Sequence, residues 1–211
     1  MKILHVSGAK GWGGNEQQMM YILPELAKNE VDNLVFGIND SILKGKCSKQ
    51  SISFIGVKDR KLNKWSSYSL LKKVIKDFQP DIIHLHTSDS LTFYVVAKLI
   101  LGVRPKTVFS KKGMGTSSSF LSNLKYNFKG LDSIICVSNS VKRDLGKILN
   151  EKTNHTYHFS AGLCIWYNGA EDTALPNPSK ETSQWIECGG YSVSKSGYCL
   201  FSHCCASGFA R

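Results

Sequence analysis

Through its first 150 residues the chain switches repeatedly between short apolar runs and longer stretches of helical spacing, and that alternation admits few folds. "KILHVS" is an apolar strand running into a glycine loop. "NEQQMMYILPELAKN" follows it, with Met19, Met20, Leu23 and Leu26 at helical spacing. "VDNLVFGI" and "SISFIGV" read as the next strands. "KWSSYSLLKKVIKDFQP" is a predicted helix with Leu70, Leu71, Val74, Ile75 and Phe78 on one stripe, stopped by Pro80. "DIIHLHTSDS" is a buried strand ending in polar residues, "SLTFYVVAKLILG" a helix closed by Gly102, and "KTVFSKKG" another strand. "LDSIICVSNSVKRDLGKIL" passes from a last strand into a helix capped by Ser138 or Asn139. Strands alternating with helices imply an α/β fold in which helices cover both faces of a parallel sheet.

Charge and cysteine mark where this pattern stops. Up to Asn150, 23 Lys and Arg stand against 11 Asp and Glu, a net of +12, whereas residues 151–211 hold 4 against 5. Cys47 and Cys136 lie in the first part, while Cys164, Cys188, Cys199, Cys204 and Cys205 crowd the second. Two regions are therefore expected: an α/β domain over 1–150 and an irregular tail over 151–211, where no helical or strand period is sustained. A truncated or frameshifted remnant of a linker and further domain accounts for such a tail. The longest apolar stretch, Leu91 to Val103, is interrupted by Lys98 and is too short to span a bilayer. "MKILHVSG" lacks the apolar region and cleavage site of a signal peptide, so a cytoplasmic location is expected.

Ligands of open parallel sheets bind beyond the carboxyl ends of the strands. Four loops lie there: "SGAKGWGGNE", "HTSDS", "SKKGMGTSSS" and "SNS". They place backbone amides, His86, Asp89, Lys111, Lys112 and several hydroxyls along one rim. In the first loop Gly8 is followed five residues on by Gly13, but then by Gly14 and Asn15 where a P-loop needs Lys and a hydroxyl. Gly11 and Gly13 begin a dinucleotide fingerprint, yet Glu16 stands where its third glycine belongs. An acid there opposes a pyrophosphate. What survives both tests is a glycine turn ahead of a helix N-terminus, which either lets backbone N–H groups approach an anion or only turns the chain.

"MKILHVSGAKGWGGNEQQMM", "PDIIHLHTSDS" and "IICVSNSVKRDL", in that order and spacing, resemble the N-terminal domain of family-four glycosyltransferases. These are retaining enzymes of GT-B architecture, with two Rossmann-like domains facing across a cleft. The resemblance covers about residues 1–150 and implies that region is the acceptor-side domain. It places Gly13 and Gly14 near the donor diphosphate and transferred sugar, and Asn15, Glu16 and Gln17 toward the acceptor or sugar. Asp89, on the same rim, joins the acceptor contacts. His86 matches the family histidine that projects into the cleft and bonds the transferred sugar, and is the expected catalytic residue. Negative charge grows on the leaving diphosphate during such a transfer, so amides and the cations of Lys111 and Lys112 suit it. His84 shares the sheet face of His86 and has a structural role open to it.

The implied function is transfer of a sugar, with retention, from a nucleotide-sugar donor to a glycan or lipid-linked acceptor in cell-envelope polysaccharide synthesis. No cofactor is implied. The family's second domain carries two glutamates eight positions apart, and no two glutamates here have that spacing. "YNGAED" at 167–172 resembles the opening of the linker to that domain. No metal site is expected: the tail's Cys199, His203, Cys204 and Cys205 lack paired Cys-x-x-Cys spacing. The "NHT" glycosylation pattern at Asn154 carries no weight in a cytoplasmic chain. The basic surplus permits peripheral contact with an anionic membrane at its inner face. Nucleic acid is not an expected partner, because the lysines are dispersed over several helices. An NAD-dependent oxidoreductase or epimerase and a non-catalytic remnant are the alternatives.

Overall fold

The computed structural model describes residues 1–113 and 119–149 and the backbone of 156–159. The rest of the 151–211 region, with its cysteines, His203 and "YNGAED", lies outside the described residues, as do the middle of the "SKKGMGTSSS" loop and the Asn154 pattern up to Thr156. The strands are Lys2–Val6 (β1), Asp32–Ile38 (β2), Phe54–Val57 (β3), Ile82–Leu85 (β4), Lys106–Lys111 (β5), Ser133–Cys136 (β6) and Thr156–Phe159 (β7). The helices are Gly14–Lys28 (α1), Ile42–Lys49 (α2), Trp65–Phe78 (α3), Ser88–Leu101 (α4), Phe120–Tyr126 (α5) and Asn139–Gly146 (α6). All strands pair in parallel, in the order β3-β2-β1-β4-β5-β6-β7, within a unit running from Met1 to Phe159. The chain builds outward from β1 to β3, returns to place β4 beside β1, and then proceeds the other way. This is a Rossmann-like sheet, and its strand order reverses at the β1/β4 junction.

Local chemistry explains the helix ends. Thr87 and Ser90 form a reciprocal capping box that starts α4, and Gly102, at φ 61°, ends it in the left-handed conformation glycine tolerates. Ser138 caps α6, its hydroxyl accepting from the Val141 N–H at 3.2 Å. In α3 the buried stripe is Ser67, Tyr68, Leu71 and Val74, while Leu70, Ile75 and Phe78 are only half-buried, so the apolar face is rotated from the expected stripe.

Three elements lacked a sequence signal. Helix α2 buries only Leu43 and Cys47, which is too few for a period. Helix α5 is one short segment whose Phe120, Leu121 and Leu124 face outward. Strand β7 lies beyond the charge boundary. Among the described residues no helix is long and apolar enough to cross a membrane.

Parallel pairing puts residues of equal register on the same face, and alternation along each strand then fills two faces. One face, under α1 and α2, buries Val35 with Met19, Met20, Leu23, Leu43 and Cys47. The other packs Phe36 on Phe93 of α4 at 6.0 Å between ring centroids, and Phe93 on Tyr68 of α3 at 4.7 Å. Burying one such side chain contributes roughly 1.5–3 kcal/mol, so the sheet is held from both sides.

Candidate functional site

The β1/β4 junction is closed by the loops that leave it. The Gly8 N–H donates to the Thr87 hydroxyl at 3.1 Å, tying the loop after β1 to the cap of α4. A Cβ on Gly8 would stand 3.0 Å from Cβ of Asp89 and 3.3 Å from Leu62, so a larger residue here would have to push those neighbours back by a few tenths of an ångström. Gly11 has open space around it. Gly13 is extended, at φ −152°, and forms the N-cap of α1 without a side chain, leaving bare backbone where the helix begins.

The first turn of α1 already carries an acid. Glu16 is buried, and its Oε1 accepts from the Ser7 hydroxyl at 3.3 Å. Its Oε2 lies 3.4 Å from where a Gly13 Cβ would sit. A carboxylate in the first turn of a helix is favoured by the helix dipole by about 0.3–1 kcal/mol, and it leaves the backbone amides at the start of α1 without a side-chain cap. Asn15 lies beside it and contributes its backbone carbonyl to the site. Gln17 turns away: its amide donates to the Tyr21 hydroxyl at 2.6 Å on the exposed side of the helix.

Facing α1, three histidines stand on adjacent strands. His5 of β1 pairs in register with His84 of β4, and His86 follows two residues on. All three are buried, with ring centroids 5.4 Å apart for His5 and His84, 5.3 Å for His5 and His86, and 4.0 Å for His84 and His86. Nδ1 of His5 is 3.0 Å from Nε2 of His86, and Nε2 of His5 is 3.0 Å from Oδ1 of Asn33. His84 bonds the Ser110 hydroxyl at 2.8 Å. Burial pushes the His5 imidazole down to about 4 and holds His84 and His86 well below the ordinary histidine value. All three are neutral at neutral pH.

Lys112 joins the two sides. Its ammonium donates to the Asn15 carbonyl at 3.0 Å and lies 3.3 Å from Nδ1 of His86. Desolvation lowers its pKa to about 7, against a smaller opposing pull from the Glu16 carboxylate. The amine therefore titrates in the neutral range, and can stand as a cation or as a free base.

Of the rim residues anticipated from sequence, the fold brings His86, Lys112, Asn15, Glu16 and Gly13 together, with Gly14 opening the helix. Lys111 points to the other face of β5. Its ammonium bonds the Gly113 carbonyl, and its charge is felt with Asp144 and Cys136. Asp89 is exposed in the first turn of α4, across from Gly8. Sequence reasoning passed over His5, Asn33, Ser7 and Ser110. The missed signal was a histidine at the inward register of both strands flanking the switch point.

The three imidazoles could hold a metal ion, their ligating nitrogens lying within 4.8 Å of one another. Both nitrogens of His5 and both of His86 are, however, already engaged in hydrogen bonds.

The model of Glycosyltransferase Family 4 matches residues 12–169. No curated protein matches the sequence. Among solved structures the fold is similar to a glycosyltransferase from Rickettsia africae ESF-5, with a TM-score of 0.61 and 18% identity over 75% of this chain and 42% of that one. It is similar to Anabaena Alr3699/HepE in complex with UDP, with a TM-score of 0.59 and 15% identity over 75% and 43%. It also resembles the lipopolysaccharide outer core galactosyltransferase WaaB, with a TM-score of 0.53 and 15% identity over 70% and 42%. The matched part of this chain spans 42–43% of the length of these proteins.

Proposed function

Because the chain belongs to Glycosyltransferase Family 4, we propose that residues 1–150 form the acceptor-side half of a sugar-transfer site. The substrate class is a nucleotide-diphosphate sugar, its glycosyl group passing with retention to a glycan or lipid-linked acceptor of cell-envelope polysaccharide synthesis. One observation carries this reading: Lys112 bridges the start of α1 and His86 at the sheet's switch point. A cation beside bare helix-start amides stabilises the charge that develops on a departing diphosphate. Gly13 and Gly14 supply those amides, and His86 faces the transferred sugar. Asn15, Glu16 and Asp89 form the acceptor side, which Gln17 joins only on leaving its bond to Tyr21, and Lys111 adds positive charge behind it. Anabaena HepE has been solved with both UDP and UDP-glucose, which supports a nucleotide-sugar ligand for the shared fold.

Calorimetry on the full 211-residue chain tests the proposal. UDP-glucose is expected to bind, and Lys112→Met to weaken that binding about tenfold or more, the loss of one charge-assisted hydrogen bond. Binding of NAD with none of UDP-glucose would overturn it in favour of an oxidoreductase or epimerase. Binding of no nucleotide would make the chain a non-catalytic remnant.

A cytoplasmic placement at an inner membrane face belongs to the same proposal. It is supported by the basic surplus over 1–150 and by α5, which exposes Phe120, Leu121 and Leu124 beside Lys125. Apolar side chains flanked by cations suit an anionic lipid surface. Flotation with phosphatidylglycerol vesicles at low salt is expected to carry the chain, and Phe120→Ser with Leu121→Ser to leave it in the unbound fraction. A wild-type chain that stays unbound removes the membrane contact.

A further inference from the structure

We infer that Asn33 and His5 are positioning residues that fix the proton on His86, so that His86 presents Nδ1 to Lys112 as a hydrogen-bond acceptor. The polarity follows link by link. The Asn33 amide nitrogen donates to the Val31 carbonyl at 2.9 Å and the Leu23 carbonyl at 3.5 Å, which turns Oδ1 toward His5. An amide oxygen only accepts, so the proton between them sits on Nε2 of His5. A neutral imidazole has a single N–H, which makes Nδ1 of His5 an acceptor. Across the 3.0 Å contact Nε2 of His86 must then donate, and Nδ1 of His86 carries a lone pair. An ammonium has donors and no acceptor, so Lys112 meets that lone pair correctly.

The chain Asn33–His5–His86–Lys112 is therefore satisfied in one direction along its whole length. His84 bonds Ser110 and lies against His86, with ring centroids 4.0 Å apart. Burial keeps the imidazoles neutral and so keeps each to one proton. Lys112 is faced by Glu16 and the Asn15 carbonyl from α1, by His5 from β1, and by His84 and His86 from β4. Lys111, its neighbour in sequence, turns to the other face of β5.

The chemical consequence concerns selectivity and rests on the sugar-transfer reading, whereas the proton positions do not. An acceptor nitrogen takes a hydroxyl hydrogen and repels a phosphate oxygen. That lone pair takes one hydrogen at a time: while Lys112 donates to it His86 is satisfied, and when Lys112 turns to an anionic oxygen it is released to a sugar or acceptor hydroxyl.

The test is a long-range proton–nitrogen correlation spectrum of the full chain labelled with [15N]histidine, recorded on either side of about pH 7 without nucleotide. The wild-type chain is expected to show His86 protonated on Nε2 at both pH values. Asn33→Leu is expected to keep a native amide spectrum but give mixed His86 tautomers on the alkaline side, where Lys112 has lost its charge. Should that variant fail to fold, Lys112→Met reads the other end, and Asn33 is expected to hold the wild-type tautomer in it. An Nδ1 proton on wild-type His86, an unchanged tautomer in Asn33→Leu, or a lost one in Lys112→Met overturns the inference. So does cobalt(II) binding at the three imidazoles, which would demand the lone pairs this chain spends. Failure of nucleotide binding leaves the tautomer result standing, so the two proposals fail separately.

Discussion

The two faces of the sheet around β1 and β4 are made from alternate residues of the same strands, and both are buried and packed with apolar side chains, yet only one of them also carries imidazoles. One face holds Leu4, Val6, Phe36 and Leu85 under Phe93 of α4. The other holds Ile3, Val35 and Ile82 beneath α1, and among them His5, His84, Asn33 and Ser110, with His86 and Lys112 just past the strand ends. Apolar burial stabilises by about 25 cal/mol per Å² and asks for no partner. A buried polar group left unpaired costs roughly 1–3 kcal/mol, so each imidazole must be placed against a complementary atom. Stability alone favours the first solution on both faces. A buried polar pair occurs on the first face too, Thr107 with Tyr94, but the cluster of imidazoles stands under α1, where chemistry is added to packing.

The largest expected effect comes from damaging the apolar face. Phe93→Ala removes a ring packed on Phe36 and Tyr68 and is expected to cost about 3–5 kcal/mol, chiefly as a cavity. Its titratable neighbour Tyr68 is raised above the ordinary tyrosine value by burial and stays neutral here, so urea midpoints should drop by the same amount throughout the range from about pH 4 to pH 7. A cost that varies with pH would show that the two faces are coupled through the sheet. That result would break the comparison.

Much of this was legible in the sequence. The six strands up to Cys136 and the helices α1, α3, α4 and α6 followed from apolar period, and the caps at Ser138 and Gly102 from residue type. Helices α2 and α5 were not legible, because one buries two side chains and the other turns its large apolar residues outward. Of the site, His86 and the glycine turn could be picked out. Their partners could not: Asn33 is 28 residues from His5, and Lys112 is 97 from Asn15. Contacts at such separations depend on strand order, which local spacing does not encode. The spacing around each glycine of the loop was equally out of reach of the sequence. A Cβ on Gly8 would press on Asp89 and Leu62, whereas one on Gly13 would meet only the Glu16 carboxylate.

A smaller and opposite signature is expected from the polar face on acidification. In the unfolded chain His5 titrates near 6.5, whereas burial lowers it to about 4 in the fold. Between those values the unfolded state binds a proton that the native state refuses, so stability falls as pH falls through that window and is unaffected by His5 above it. One histidine contributes about 1.4 kcal/mol per pH unit, or roughly 3 kcal/mol for His5 across the window. His84 and His86 are lowered by the same cause and steepen the fall. His5→Gln keeps polar atoms in place without a proton to gain. Its urea midpoint is expected to decline less steeply than the wild-type midpoint between about pH 6.5 and pH 4, while Phe93→Ala tracks the wild-type slope at a lower level. Equal slopes in the wild type and His5→Gln would mean that the imidazole charges without penalty, and the polar face would then lose its claim to be held dry and neutral by the fold.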